Sequence, residues 1–174
     1  ISFLLPDMHV IAAKECLVYK THLVTASYVS KEMDELNTDA EKAGLIFLNE
    51  TGLDPGIDHM DIMNIISKVK NKGYKISSVK SLCGGLIAEE SDDNCWGYKF
   101  TWSPMSVVLA GQSGARYLKN NNVLNIPYEK LFLQTEKIFI NGFGEFEAYP
   151  NRDSIPYIKK YGINGVSDFY RGPL

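Results

Sequence analysis

Residues that bind metals or form disulfides are scarce in this chain. Its 174 residues hold three cysteines, Cys16, Cys83 and Cys95, and three histidines, His9, His22 and His59. The cysteines are widely spaced, odd in number and lack any Cys-x-x-Cys pair, which excludes a disulfide framework and leads us to expect reduced thiols in a cytoplasmic compartment. The histidines have no ligand spacing, so no metal is expected. No apolar run approaches the roughly 18 residues that would suggest a membrane span. Basic charge is also short: 18 Lys and Arg stand against 21 Asp and Glu, a net charge of −3. A general nucleic-acid binder would need a basic footprint, so neither nucleic acid nor membrane is an expected partner. The opening residues Ile1-Ser2-Phe3-Leu4-Leu5-Pro6 have neither a methionine nor the charged start of a signal peptide. Tyr170-Arg171-Gly172-Pro173-Leu174 stops without a helix or polar tail, and the expectation is a piece of a longer protein.

What remains is an ordinary globular composition, 45% hydrophobic and 22% charged. Ile1–Leu5 reads as a buried strand and Val10–Tyr19 as a helix. His22–Ala26 reads as a second strand, and Lys31–Ala43 as a helix that Ser30 caps and Gly44 ends. Leu45–Asn49 reads as a third strand. The order β-α-β-α-β with short connections predicts a parallel sheet. Beyond it, the pattern predicts a helix over Asp58–Lys70, with Met60, Ile62, Met63, Ile65, Ile66 and Val69 on its apolar face, and a strand over Lys75–Leu82. It continues with an acidic loop over Glu89–Asn94, an aromatic strand over Tyr98–Trp102 and a helix over Met105–Lys119. Short strands are expected near Phe132, Ile138–Ile140 and Glu145–Tyr149. Asn120-Asn121-Asn122 reads as a turn.

A parallel sheet binds ligands at the carboxyl ends of its strands, which here are Pro6-Asp7, Ser27-Tyr28 and Gly52–Gly56. A complete dinucleotide fold also needs a Gly-x-Gly-x-x-Gly turn, and none occurs; Gly142-Phe143-Gly144 leads into Glu145-Phe146-Glu147 instead. The three strand units therefore read as the second half of such a fold.

Gly52-Leu53-Asp54-Pro55-Gly56 joins a strand to a helix. Proline suits a first helical turn, glycines admit a close-lying ligand, and the helix start offers unbonded amides. Asp54 at its mouth can accept a hydrogen bond from an ammonium or a ribose hydroxyl. Taken alone, the turn reads more readily as a structural junction with Asp54 as the helix cap. Cys83, before Gly84-Gly85, reads as a ligand-facing thiol or, more simply, as a small apolar residue. Arg152 reads equally as a bidentate carboxylate binder or as the exposed partner of Asp153. His59 reads as structural, and Tyr98, Phe100 and Trp102 as core. Ser27 and Ser154 lack a histidine at a triad interval.

The strings Leu4-Leu5-Pro6, Val24–Ser30 (VTASYVS), Gly52–His59 (GLDPGIDH), Cys83–Leu86 (CGGL), Tyr98–Pro104 (YKFTWSP) and Ala148–Ser154 (AYPNRDS), in this order, resemble the NADP-dependent, glutamate-forming saccharopine dehydrogenases. The likeness runs along practically the whole chain. It implies an α/β oxidoreductase with residues 1–57 as the C-terminal half of a dinucleotide-binding domain and 58–174 as part of a substrate domain. It also implies NADP as cofactor and saccharopine, glutamate and 2-aminoadipate 6-semialdehyde as substrates, in lysine metabolism. Cofactor contacts would fall on Leu4, Thr25, Ala26, Gly52, Leu53, Asp54, Ser103, Pro104, Met105 and Ser106. Substrate contacts would fall on Ser27, Tyr28, Asp54, Arg152 and Cys83, with Asp54 orienting the amine or steadying the iminium. An isolated chain without the glycine turn is expected to be inactive. A homodimer is compatible with the resemblance. The alternatives are a relative acting on another imine, of the carboxynorspermidine type, and a non-catalytic truncated paralogue. Pro6-Asp7-Met8-His9 is shorter than the family pattern, and Gly172 precedes proline where the family has threonine.

Overall fold

The computed structural model describes residues 1–101 and 103–174. The chain forms two compact units, 1–65 and 66–174, of mixed α/β structure.

In the first unit a 3₁₀ turn, Pro6–Met8, leads into α1 (His9–Val18). Strand β1 (Leu23–Val24) follows, then α2 (Lys31–Asp34), α3 (Asn37–Lys42) and β2 (Phe47–Leu48). Leu23 and Val24 pair in parallel with Phe47 and Leu48, and Ser2 makes a parallel bridge to Thr25. The three segments thus lie side by side in one direction, as the β-α-β-α-β pattern requires. Ser30 accepts a hydrogen bond from the Met33 amide at 3.1 Å, so it caps α2 as expected. Gly44 ends α3 with φ of +66°, a left-handed position suited to glycine. Ala13, Leu23 and Met33 form the buried core of this layer.

Two expectations fail here. Ile1–Leu5 is not a buried strand: Ser2 alone is buried and bridged, while Phe3 is 91% exposed. The run is apolar, but no second layer covers its outer side chains among the described residues. The helix expected over Lys31–Ala43 breaks after Asp34, with Glu35 and Leu36 in a turn.

Helix α4 (Ile57–Asn71) contains the division between the units. Ile62 and Ile66 are its buried apolar residues, whereas Met60, Met63 and Ile65 are exposed. The buried stripe is therefore narrower than periodicity predicts.

The second unit continues with β3 (Ser78–Leu82), a 3₁₀ turn at Glu89–Ser91 inside the acidic loop, and α5 (Pro104–Gly111). Next come β4 (Ala115–Lys119), β5 (Asn122–Ile126) and α6 (Tyr128–Leu131). The chain closes with β6 (Glu136–Ile140), β7 (Gly144–Ala148), β8 (Arg152–Asp153), α7 (Ile155–Lys160) and β9 (Asp168–Gly172). Strand order in the main sheet is β3-β9-β4-β5, with β8 also on β4, and β6 and β7 form a separate hairpin. Strands β3 and β9 are parallel, and β4 and β5 antiparallel.

The helix expected over Met105–Lys119 stops at Gly111 and the chain becomes strand β4. Gly114 takes φ of +61° and lies against the Ile126 carbonyl, a position closed to other side chains. Past it, Ala115 and Tyr117 are buried and Arg116 is exposed, a period of two. Asn120 and Asn121, both at positive φ, form the two-residue hairpin turn that joins β4 to β5. Phe132 caps the C-terminus of α6 and is no strand residue. Tyr98–Thr101 form no strand, and Trp102 lies outside the described residues. Tyr98 and Phe100 meet edge to face at 5.5 Å yet stay exposed, so core packing is corrected for both. One core cluster comprises Ala115, Tyr117, Leu131 and Tyr170, joined by Leu82, Leu124, Ile126 and Tyr149. Tyr161 meets the fully buried Phe169 with ring centroids 6.0 Å apart.

Candidate functional site

Parallel pairing brings the carboxyl ends of β1 and β2 together, and the loops beyond them carry the first group of candidates. Thr25 is buried; its hydroxyl lies 3.0 Å from His9 Nε2 and accepts from the Ser27 amide at 3.3 Å. The other ring nitrogen of His9 lies 3.0 Å from the Ser2 hydroxyl. Burial holds the His9 imidazole below its ordinary pKa, because a charged ring would lose its water there. The Thr51 hydroxyl donates to the Thr25 carbonyl at 3.0 Å, binding the second loop to the first. Thr25 is therefore tied into the strand layer by both its side chain and its backbone.

Gly52 follows. A Cβ placed on it would lie 3.1 Å from the Ala26 Cβ and 3.3 Å from the Pro55 carbonyl oxygen. At Gly56, with φ of +152°, a Cβ would overlap the Gly52 carbonyl. These glycines thus let the chain approach itself closely.

The helix start also differs from expectation. Gly52 N–H donates to the Pro55 carbonyl at 2.8 Å, Ile57 N–H to the Gly52 carbonyl at 3.0 Å and Asp58 N–H to the Leu53 carbonyl at 3.0 Å. The Gly56 amide donates to Asp58 Oδ1 at 2.7 Å. The turn's own atoms satisfy the amides expected to await an anion. Pro55 precedes α4 by two positions and is not in its first turn. Asp58, not Asp54, closes the helix start with its side chain.

Asp54 has another contact. The Tyr28 hydroxyl donates to Asp54 Oδ1 at 2.7 Å, joining residues 26 positions apart. A phenol bonded to a carboxylate at this length is a charge-assisted pair able to orient an amine or a hydroxyl brought to it. Leu53 beside it is 63% exposed, and Leu4 is exposed as well. At the same strand ends, a cavity of about 440 Å³ is lined by Pro6, Asp7, Tyr28, Glu32 and Asn49 among others. A hydrogen bond from its own backbone amide, and then one from the Ser30 side chain, hold the Glu32 carboxyl below its ordinary pKa.

Three residues that sequence reasoning left out of the site, Glu50, Asp58 and His59, link the loops that carry the pair. Glu50 Oε1 accepts from the Val29 amide at 3.3 Å and its Oε2 lies 3.1 Å from His59 Nε2. His59 Nδ1 is 3.6 Å from Asp58 Oδ2. Strand-end position was the available signal for Glu50, two residues past β2; nothing in the spacing of Glu50 and His59 marks them as partners.

The remaining candidates belong to the second unit. Cys83 is half-buried at the end of β3, its amide donating to the Gly172 carbonyl at 3.1 Å. Ser103 caps α5 by accepting from the Ser106 amide at 3.3 Å, and the two hydroxyls lie 3.0 Å apart. Pro104 fills the first helical turn and Met105 is exposed. Arg152 stands at φ of +56° in β8, its amide donating to the Gly114 carbonyl at 2.9 Å. Asp153 pairs with Arg116 at 2.9 Å. Asp153 Oδ1 also accepts from the Ile155 amide. Among the described residues no helix is long and apolar enough to cross a membrane, and no group of His, Cys, Asp and Glu is arranged to hold a metal.

Fold and loops together define an α/β protein whose polar loops gather at the carboxyl ends of a parallel strand layer. A family model, the saccharopine dehydrogenase C-terminal domain, matches residues 52–174. The chain belongs to the saccharopine dehydrogenase family. The saccharopine dehydrogenase [NADP(+), L-glutamate-forming] of Pyricularia oryzae is 42% identical over 174 residues, which are 100% of this chain and 39% of that protein. The mitochondrial alpha-aminoadipic semialdehyde synthase of Rattus norvegicus is 42% identical over 176 residues, 100% of this chain and 19% of that protein. Apo histidine-tagged saccharopine dehydrogenase (L-Glu forming) from Saccharomyces cerevisiae matches in structure with a TM-score of 0.86 at 38% identity, over 99% of this chain and 39% of that one. The chain therefore spans well under half the length of the relatives it matches.

Proposed function

We propose that the chain is part of an NADP-dependent, L-glutamate-forming saccharopine dehydrogenase. The reaction is the reversible interconversion of saccharopine with 2-aminoadipate 6-semialdehyde and glutamate, in lysine metabolism. The observation that carries this reading is the 42% identity to such an enzyme along all 174 residues, with Tyr28 and Asp54 joined at the strand ends.

The residues present fit part of the cofactor. The strand-end cavity offers the carboxylates of Asp7 and Glu32 and the amide of Asn49, acceptors suited to ribose hydroxyls and unsuited to phosphate. Leu4, Thr25, Ala26, Gly52, Leu53 and Asp54 are the proposed contacts in the first unit. Ser103, Pro104, Met105 and Ser106 are the proposed contacts in the second unit. When bound, NADP supplies the hydride acceptor or donor.

The chain's own residues supply position and charge. Saccharopine is a secondary amine with three carboxylates; the hydroxyls of Ser27 and Tyr28 suit it in the first unit, and the Arg152 guanidinium, with Cys83 as a further contact, in the second. Asp54, already accepting from Tyr28, can hold the nitrogen as its positive charge develops. No nucleophile is needed, so catalysis rests on orientation.

The test is saccharopine-dependent NADPH formation by the full-length protein that carries this chain. Arg152→Ala is expected to raise the saccharopine KM about tenfold or more, the cost of a lost charged hydrogen bond. No turnover with saccharopine would overturn the reading. We also propose a cytoplasmic location; relatives named as mitochondrial match equally well, and cell fractionation separates the two.

A further inference from the structure

We infer that His59 is a positioning residue that fixes the Tyr28–Asp54 pair through Glu50 on one side and Asp58 on the other. The inference rests on the proposed dehydrogenase reading for its kinetic consequences, though its geometry stands apart from it.

Tyr28 and Asp54 sit on two different loops, and a 2.7 Å bond between them survives only if both loops are held. Glu50 holds the Tyr28 loop on both sides of the tyrosine. Its amide donates to the Ser27 carbonyl at 3.0 Å, and its carboxylate accepts from the Val29 amide at 3.3 Å. Glu50 does this from φ of +58°, a backbone position that side chains other than glycine adopt only when their surroundings require it. The second carboxylate oxygen meets His59 Nε2 at 3.1 Å.

The Asp54 turn is held from the other side. Asp58 Oδ1 takes the Gly56 amide at 2.7 Å, and Asp58 Oδ2 lies 3.6 Å from His59 Nδ1. The last spacing is longer than a hydrogen bond. His59, Glu50 and Asp58 side chains are only 17%, 13% and 9% exposed. One imidazole therefore stands between the two carboxylates that support the two loops. Its contacts run to Glu50 and Asp58, whose carboxylates hold the two loops, so its part is to position the pair.

The experiment uses the full-length protein with His59→Ala, His59→Gln and the exposed control Met60→Ala. His59→Ala is expected to lower kcat between about tenfold and a hundredfold, leaving the NADPH KM unchanged. His59→Gln, which keeps a donor toward Glu50, is expected to recover most of that loss, and Met60→Ala to keep wild-type kinetics. A double variant with Tyr28→Phe should lose little more than Tyr28→Phe alone. Additive losses, or a His59→Ala enzyme within twofold of wild type, would overturn the inference. The Tyr28 ring-carbon resonance, assigned by Tyr28→Phe, gives a readout that needs no turnover: His59→Ala should shift it and Met60→Ala should not. If the wild-type protein shows no saccharopine turnover, the dehydrogenase reading fails, and the resonance alone decides whether His59 positions the pair.

Discussion

Gly56→Ala tests whether the Gly52–Gly56 turn is closed by backbone approach. At Gly56 an added methyl would overlap the Gly52 carbonyl, and φ of +152° is itself foreign to alanine. Relief requires the two backbones to part. That breaks the bond from Gly52 N–H to the Pro55 carbonyl and the bond from Ile57 N–H to the Gly52 carbonyl, now 2.8 and 3.0 Å. Each bond contributes about 1 kcal/mol, and a residue forced into that backbone region costs about 1–3 kcal/mol. Together the local loss is about 3–5 kcal/mol, at least roughly a hundredfold in the opening equilibrium. Native-state amide exchange reads it directly, because the Ile57 amide is one of the bonded groups. The expected result is Ile57 exchange at least about a hundredfold faster, with the amides of β4 and β9 unchanged. An Ile57 rate within about threefold of wild type would refute the claim that these glycines serve close backbone contact.

Three further outcomes follow from the same structure. Because burial lowers the His9 pKa from 6.5, the unfolded chain takes up its proton first. Stability should therefore be level above that pH, fall as pH drops through it, and level again below the folded value; denaturant midpoints across the range check this, and a His9→Asn protein with the same slope would contradict it. Asp153→Ala should cost about 1–1.5 kcal/mol, since it removes both a helix-start acceptor and the Arg116 pair, whereas Arg116→Ala should cost under about 0.5 kcal/mol for an ion pair roughly half exposed; equal urea midpoints would show that the cap contributes nothing. Phe169→Ala, at a fully buried site, should cost about 3–5 kcal/mol, and Phe139→Ala, on the exposed hairpin face, under about 0.5 kcal/mol, as read by thermal or urea unfolding.

The parts of the fold legible in the sequence are those governed by local chemistry. Ser30 at a helix start and Gly44 at a helix end are local stereochemistry, and both stand where expected. The parallel order of three strand segments follows from the helices between them, which carry the chain back to start each next strand in the same direction. Met105–Lys119 failed because Gly114 and a strand-period run look, in isolation, like a weak stretch of helix; pairing with β5, β8 and β9 decides it. The candidate turn was found through the rule that ligands meet the carboxyl ends of parallel strands. Its amides were misjudged because their acceptors are carbonyls and a carboxylate that only the folded turn brings within reach. Glu50 and His59 lie nine residues apart with a turn and a helix start between them, and no motif records that they meet.

The strand layer beneath this turn explains why side chains must do so much of the positioning. Strands β1 and β2 pair over only Leu23↔Phe47 and Val24↔Leu48, a ladder too short to fix loops several residues beyond it. The apolar core of Ala13, Leu23 and Met33 stabilises the layer but is non-directional, and it sets no angle for Tyr28 or Asp54. Direction comes instead from discrete polar bonds: Thr51 to Thr25, Glu50 to Val29, Asp58 to Gly56 and Tyr28 to Asp54. Each is individually modest in free energy, yet each specifies a distance and an angle. Trimming the core should therefore lower stability while leaving the Tyr28–Asp54 geometry intact, whereas removing Glu50 or His59 should leave most of the stability and lose the geometry.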